Sequence, residues 1–190
     1  RIPELITSNK FNLNRGFILI FIASVVLFFL LLLFNSGMSD IPTHMRGAIR
    51  IANVERITGH FLFHLTVAML SFFSTNEYVL IAVTIIVLSI AQAYKYKFSF
   101  LYQYFSSYSK THLGIFKIGA LISIFSMPII IYPLYPRVMD SPLNVWHNAT
   151  TIFLMPFALL LFFKSYEYLQ GKNSNNKIWI LILLVFINII

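Results

Sequence analysis

The sequence predicts an all-α fold: a polytopic helical membrane protein with five or six membrane segments. Of its 190 residues 58% are hydrophobic and only 11% are charged, and the mean hydropathy of +0.80 lies above the range of soluble globular proteins. The apolar runs are also too long and too continuous for the alternating strands of an outer-membrane barrel. Cysteine is absent, which excludes disulfides and thiolate metal sites.

Six apolar segments follow one another along the chain, at residues 17–34, 60–74, 78–94, 113–135, 151–166 and 178–190. They contain no internal repeat and enclose no soluble domain, so residues 1–190 are predicted to form a single transmembrane helical domain. The first segment follows Arg15 without a small-residue cleavage site after it, which favours a retained anchor. The last segment stops within an apolar run at Ile190, and we expect the native chain to continue beyond it.

The net charge of +8 is spread between the apolar runs and forms no block or stripe. This distribution argues against a nucleic-acid partner and favours a role in membrane orientation. Basic residues at 1, 10 and 15 predict a cytoplasmic N-terminus, and Lys95, Lys97 and Lys110 predict that the stretch after the third segment is also inside. An odd number of crossings must then separate Arg56 from Lys95.

The second segment, residues 60–74, is the candidate for an incomplete crossing. Fifteen residues span about 22 Å as a helix at about 1.5 Å per residue, which is short of the ~30 Å hydrocarbon core. We therefore expect a re-entrant or interfacial segment and five full crossings. A short, tilted crossing is the alternative, because hydrophobic mismatch costs only fractions of a kcal/mol per Å.

The stretch "SDIPTHMRGAIR" concentrates charge after the first apolar segment. Asp40 followed by Pro42 is typical of a helix start, with the carboxylate as N-cap and proline in the first turn. Arg46 and Arg50 share one helix face, whereas another face is apolar; its residues are Ile41, Met45, Ile49 and Ala52. The pattern predicts a short interfacial helix in the first external loop.

The same stretch has a functional interpretation that is compatible with the cap. Asp40 and His44, four residues apart, are candidate catalytic residues or ligands of a divalent metal ion, with Asp40 as the base. Arg46 and Arg50 are candidate ligands of a phosphate-bearing lipid, since guanidinium groups bind phosphate oxygens in pairs.

Two further polar groups lie at predicted segment ends. His60 and His64 are spaced like paired metal or haem ligands, and the alternative is that they mark the outer end of a membrane segment. The loop "DSPLNVWHNATT" offers Trp146, His147 and Asn148 for substrate binding, and the alternative is an interfacial anchor with a helix cap. The basic aromatic stretch 94–112 is predicted to be a loop on the anionic inner leaflet.

The two outer stretches, "SDIPTHMRGAIR…GHFLFHL" and "SPLNVWHNATTIFLMPFALL", resemble those of uncharacterised bacterial integral membrane proteins related to the GT-C superfamily of glycosyltransferases. The resemblance covers roughly residues 16–168 and implies an enzyme of the bacterial inner membrane that takes sugar from a polyprenyl-phosphate donor. It also implies an acidic residue of the first external loop at the reaction centre, the place that Asp40 occupies. Members of such families are longer than this chain.

The residues fit that chemistry independently. A base near the acceptor hydroxyl and cationic groups near the departing phosphate are required, and Asp40 supplies the first while Arg46, Arg50, Arg137 or His147 supply the second. Two other hypotheses remain: a non-catalytic transmembrane subunit with membrane-protein partners, and a histidine-ligated metal or haem enzyme based on His60 and His64.

Overall fold

The computed structural model describes residues 3–34, 41–55, 60–106, 149–171 and 176–189. These residues form six helices: α1 (Pro3–Phe34), α2 (Ile41–Ala52), α3 (Phe61–Leu70), α4 (Glu77–Ser106), α5 (Ala149–Leu169) and α6 (Asn176–Ile189). No strand occurs among the described residues, so the predicted all-α class is confirmed for this part of the chain.

Two stretches within these helices are long and apolar enough to cross a membrane by length and composition. They are Glu77–Ser99 in α4, with 23 residues, and Ala149–Leu169, with 21. Shorter apolar helical stretches are Arg15–Leu30, Phe61–Leu70 and Lys177–Ile187. The two long helices support a membrane location, whereas five or six crossings remain a prediction. The segment predicted at residues 113–135 lies outside the described residues.

The helical packing centres on α4, which contacts α1, α2, α3 and α5, while α6 packs on α5. Large side chains with almost no exposed surface fill the core, among them Phe28, Phe63, Leu80, Leu88 and Ile152. Aromatic rings link the layers: the Phe63 and Phe153 ring centroids lie 5.2 Å apart between α3 and α5, and those of Phe157 and Phe186 lie 4.8 Å apart between α5 and α6. Burial of these rings is the main stabilising contribution at the contacts.

Helix α4 continues to Ser106, so residues 94–106 of the stretch predicted as a loop at 94–112 are helical, whereas residues 107–112 lie outside the described residues. The Lys95 side chain, which we placed in an inner loop, is only 6% exposed. Tyrosine and lysine residues are tolerated in helices, and each residue added to an existing helix gains a backbone hydrogen bond. A helix can therefore extend past the point at which its apolar run ends.

The predicted amphipathic helix is present as α2. Its Ile41, Met45 and Ala48 side chains are buried, while Arg46 and Arg50 are exposed on another face. The buried face packs on α3 and α4, so much of the apolar stripe that we expected to rest on lipid is covered by protein. Asp40, the predicted cap, lies outside the described residues.

Helix α3 has ten residues and is shorter than the apolar segment that contains it. At about 1.5 Å per residue it is roughly 15 Å long, half the ~30 Å hydrocarbon core. Two backbone hydrogen bonds close the end of the helix: the Phe73 N–H donates to the Ala68 carbonyl over 2.7 Å and the Phe72 N–H to the Met69 carbonyl over 3.0 Å. That pair of bonds is a Schellman motif. Whether residues 60–74 cross the membrane stays a prediction.

Helix α2 ends in the same way. The Glu55 N–H donates to the Arg50 carbonyl and the Val54 N–H to the Ile51 carbonyl. In both motifs the left-handed position, which usually carries glycine, holds a larger residue: Val54 at φ 57° and Phe72 at φ 53°. A left-handed conformation costs an L-residue roughly 1–2 kcal/mol, so both short helices end in strained backbone.

Candidate functional site

The contact between α2 and α3 contains a pair of buried histidines. His44 on α2 and His64 on α3 are 8% and 5% exposed. Their Nδ1 and Nε2 atoms share a hydrogen bond of 2.7 Å, and the ring centroids lie 5.0 Å apart. A buried polar pair is stable only when its members are hydrogen-bonded, and here each ring supplies the partner of the other.

A third imidazole, that of His60, stands beside the pair. Its ring centroid lies 5.6 Å from that of His44 and 6.5 Å from that of His64. His60 is exposed and occupies the position before α3 in a left-handed conformation, with φ 59° and no side-chain cap hydrogen bond. The three rings therefore form a compact group, called here the histidine cluster: His44, His60 and His64.

Gly47 allows α2 to approach His64 closely. A Cβ atom at this position would lie 2.5 to 2.7 Å from three atoms of the His64 ring, closer than real Cβ contacts allow. Glycine in a helix costs about 1 kcal/mol relative to alanine, so its presence inside α2 is consistent with a packing requirement. The ring of Phe63, with its centroid 5.4 Å from that of His44, covers another side of the cluster.

Burial also favours the neutral form of His64. Desolvation, with smaller contributions from His44 and His60, lowers the pKa of His64 from 6.5 to about 4. Charging a buried imidazole is unfavourable because its ion loses hydration. His64 is therefore neutral at pH 7, which suits its place in a buried hydrogen bond with His44.

The predicted site residues fall into two groups. The structure brings together His44, His60 and His64, whereas Arg46 and Arg50 lie on the exposed side of α2, away from the buried His44 ring. The other candidates, which are Asp40, Arg137, Trp146, His147 and Asn148, lie outside the described residues.

Sequence spacing indicated only part of this cluster. It paired His60 with His64 and, separately, His44 with Asp40, because each pair is four residues apart on one helix. The contact between His44 and His64 spans twenty positions and depends on how α2 docks on α3. Gly47, an isolated glycine within a helical pattern, was the available signal of a close approach.

As the rings stand, the cluster is hydrogen-bonded and is not a formed metal centre. Among the described residues, no group of three or more His, Cys, Asp or Glu side chains has an arrangement that could hold a metal ion. The direct 2.7 Å contact between the rings also argues against a haem held between His44 and His64, because an iron bound to both at about 2 Å needs roughly 4 Å between the nitrogens.

A second feature is an apolar cavity of about 300 Å³ between α3, α4 and α5. Its walls include Leu70, Ile90, Phe153, Pro156 and Leu160. Among the described residues no charged side chain lines it, and its polar groups are the hydroxyls of Thr66 and Tyr94, so it mainly offers space for a hydrocarbon group.

Comparisons of the chain with protein-family models, with curated proteins and with solved structures find no match. The resemblance to the GT-C superfamily therefore rests on the residues quoted for it and remains a prediction.

Proposed function

We propose that the chain is a membrane glycosyltransferase that transfers a sugar from a polyprenyl-phosphate donor at the outer face of a bacterial inner membrane. The observation that carries the proposal is the two-sided character of α2. One side is buried against α3 through His44, while the other presents Arg46 and Arg50 together. A short amphipathic helix with paired cations is suited to the headgroup level of a membrane.

The two arginines are the expected phosphate ligands. They lie one helical turn apart and are exposed, and within the described part of the chain neither forms an ion pair. A guanidinium donates two parallel hydrogen bonds to phosphate oxygens, so the pair can hold the donor phosphate and stabilise its charge as it departs. The apolar cavity between α3, α4 and α5 supports a lipid donor, since such a space suits hydrocarbon.

Asp40 is the proposed base. It immediately precedes Ile41, the first residue of α2, and therefore belongs to the same stretch as the arginines. In the transfer, the acceptor hydroxyl oxygen bonds to the anomeric carbon while the bond from that carbon to the phosphate oxygen breaks. The hydroxyl proton goes to the Asp40 carboxylate, and polyprenyl phosphate leaves as an anion.

The test uses the full chain in lipid nanodiscs and measures release of polyprenyl phosphate from a panel of polyprenyl-phosphate sugars. Asp40→Asn keeps a capping oxygen, because Asn caps a helix about as well as Asp, but it removes the base and should lower turnover by ~100-fold or more. Asp40→Ala should lose turnover and also about 1 kcal/mol of helix-start stability.

Arg46→Gln together with Arg50→Gln should raise the KM for the donor. Arg15→Gln is the control because it removes an arginine expected on the inner side. Expression level and monodispersity monitor folding. Unchanged turnover in well-expressed Asp40→Asn would leave Asp40 as a cap only, and absence of turnover with every donor would favour the non-catalytic subunit.

A further inference from the structure

We infer that the cleft between the end of α5 and the beginning of α6 binds an anionic glycerophospholipid of the surrounding membrane. The cleft has a volume of about 420 Å³, a size typical of small-ligand sites. Its lining residues are Ser165, Tyr168, Leu169, Lys177, Ile180 and Leu181. The inference does not depend on glycosyl transfer, because lipid binding can be measured on a chain that has no turnover.

The cleft is polar at its rim and apolar in its interior. Each helix contributes three residues at the i, i+3, i+4 spacing that places side chains on one face. Lys177 lies opposite Tyr168, since its Nζ atom is 5.4 Å from the centre of that ring. Further along α6, Phe186 contacts Phe157 of α5, so the helices are antiparallel and the apolar lining residues that follow Lys177 lie deeper. This gradient matches the phosphate and the acyl chain of a phospholipid.

The charge balance of the two helices leaves Lys177 for an external anion. The charged residues of α5 are Lys164 and Glu167, and their side chains form an ion pair of 2.9 Å. Helix α6 contains Lys177 and no acidic residue, and within the described part of the chain no ion pair involves Lys177. An ammonium group has three N–H donors, so its position over the Tyr168 ring leaves donors for phosphate oxygens.

The surroundings of the cleft are typical of the headgroup level of a membrane. The candidate span Ala149–Leu169 ends at the cleft, and Tyr166, Tyr168 and Trp179 are exposed around it. Tyrosine and tryptophan are enriched where a membrane helix leaves the hydrocarbon core. The lysine distribution predicts that this end lies inside, and the cytoplasmic leaflet carries anionic phospholipid. A phospholipid with a net negative charge is therefore the expected occupant.

The experiment measures lipid binding by native mass spectrometry of the full chain in detergent. The chain is titrated with phosphatidylglycerol or with zwitterionic phosphatidylcholine that has the same acyl chains. The first phosphatidylglycerol should bind about 5-fold more tightly than phosphatidylcholine, or better, as expected for a lysine beside an anionic headgroup. Excess inorganic phosphate should not displace it, because phosphate has no acyl chain for the apolar interior.

Two pairs of variants locate the site. Lys177→Gln should weaken phosphatidylglycerol binding by about 5-fold, whereas Lys164→Gln removes the same charge from a residue outside the cleft and should keep the wild-type affinity. Leu181→Trp should fill the apolar interior and abolish tight binding, whereas Ile182→Trp, at the next position and outside the lining, should not. Lys177, Leu181 and Ile182 are exposed, so these variants should fold.

Three results would overturn the inference: equal affinity of the wild type for the two lipids, displacement of phosphatidylglycerol by inorganic phosphate, or equal losses in Lys177→Gln and Lys164→Gln. It would also be overturned by wild-type dimers that exclude phosphatidylglycerol and are lost in Leu181→Trp, because a second copy of the chain would then occupy the cleft.

Discussion

The α2–α3 pair and the bundle of α1, α4 and α5 differ in how some of their buried polar side chains are paired. In the pair, His44 and His64 are buried and hydrogen-bonded to each other. In the bundle, Ser24, Thr84, Ser89 and Gln92 are at most 1% exposed, and their side-chain polar atoms have no hydrogen-bond partner among the described residues. Paired polar groups specify a contact, whereas unpaired ones only lower stability. The specific chemistry is thus expected in the pair, and the bundle serves as its support.

The bundle and the α2–α3 pair also differ in the backbone conformation at the ends of their helices. The long α5 ends beside Gly171, whose φ of +67° is accessible to glycine without strain. The short α2 and α3 end with Val54 and Phe72 in the left-handed region. Strained backbone is found disproportionately around binding and catalytic sites, which is consistent with a functional role for the α2–α3 pair.

The largest effect is expected from labelling, because it separates the two sides of the membrane in an all-or-none manner. The chain has no cysteine, so each single-cysteine variant carries one reporter. Ser39→Cys and Asn144→Cys should react with an impermeant thiol reagent in intact cells, whereas Ser109→Cys and Asn173→Cys should react only after permeabilisation. Labelling of only one of the first two would contradict the predicted topology.

The next largest effect concerns the two glycines that lie against rings. Gly47→Ala places a methyl group into the His64 ring, where three atoms lie within 2.7 Å, and it should lower the free energy of unfolding by about 1–3 kcal/mol, as overpacking does. Gly16→Ala in the bundle meets the outer edge of the Tyr96 ring at 2.9 Å and should lower it less. Denaturant titration in micelles measures the free energy of unfolding of both variants. Equal losses would mean that the α2–α3 pair is packed no more tightly than the bundle.

Replacing a buried polar side chain by leucine should change the free energy of unfolding in opposite directions in the bundle and in the α2–α3 pair. Gln92→Leu removes an amide that is fully buried and has no hydrogen-bond partner among the described residues, so it should leave the free energy of unfolding unchanged or raise it by about 1–2 kcal/mol. His64→Leu removes one member of a hydrogen-bonded pair and should lower it by about 1–3 kcal/mol. If Gln92→Leu lowers the free energy of unfolding, the Gln92 amide is hydrogen-bonded in the bundle. The two regions would then not differ in the pairing of this group.

The smallest expected effect is at the helix ends. Val54→Gly removes a side chain that is 91% exposed from a left-handed position, which should raise the free energy of unfolding by about 1 kcal/mol. Gly171→Ala should lower it by a similar amount, even though the added methyl group meets no atom within 4 Å, because alanine is strained at that φ. If both variants change the free energy of unfolding in the same direction, the left-handed backbone conformation is not the cause.

The long helices and the amphipathic character of α2 could be predicted from the sequence, because both depend on local patterns of apolar and charged residues. It did not place the end of α4, since helix propagation past Lys95 depends on backbone hydrogen bonding and packing. It also identified His60 and His64 as neighbours but missed the bond from His44 to His64. That contact depends on the docking of two helices, which no spacing within one helix specifies.

When both rings are neutral, the 2.7 Å bond between His44 and His64 couples their tautomers. A neutral imidazole carries one proton on its two nitrogens. If His44 Nδ1 donates to His64 Nε2, then His44 Nε2 is bare and His64 Nδ1 carries a proton; if His64 Nε2 donates, both states are exchanged. The two remote nitrogens always hold opposite tautomeric states. A neutral His44 can therefore change its tautomer only together with His64, so the contact that joins α2 to α3 also couples the proton positions of its two rings.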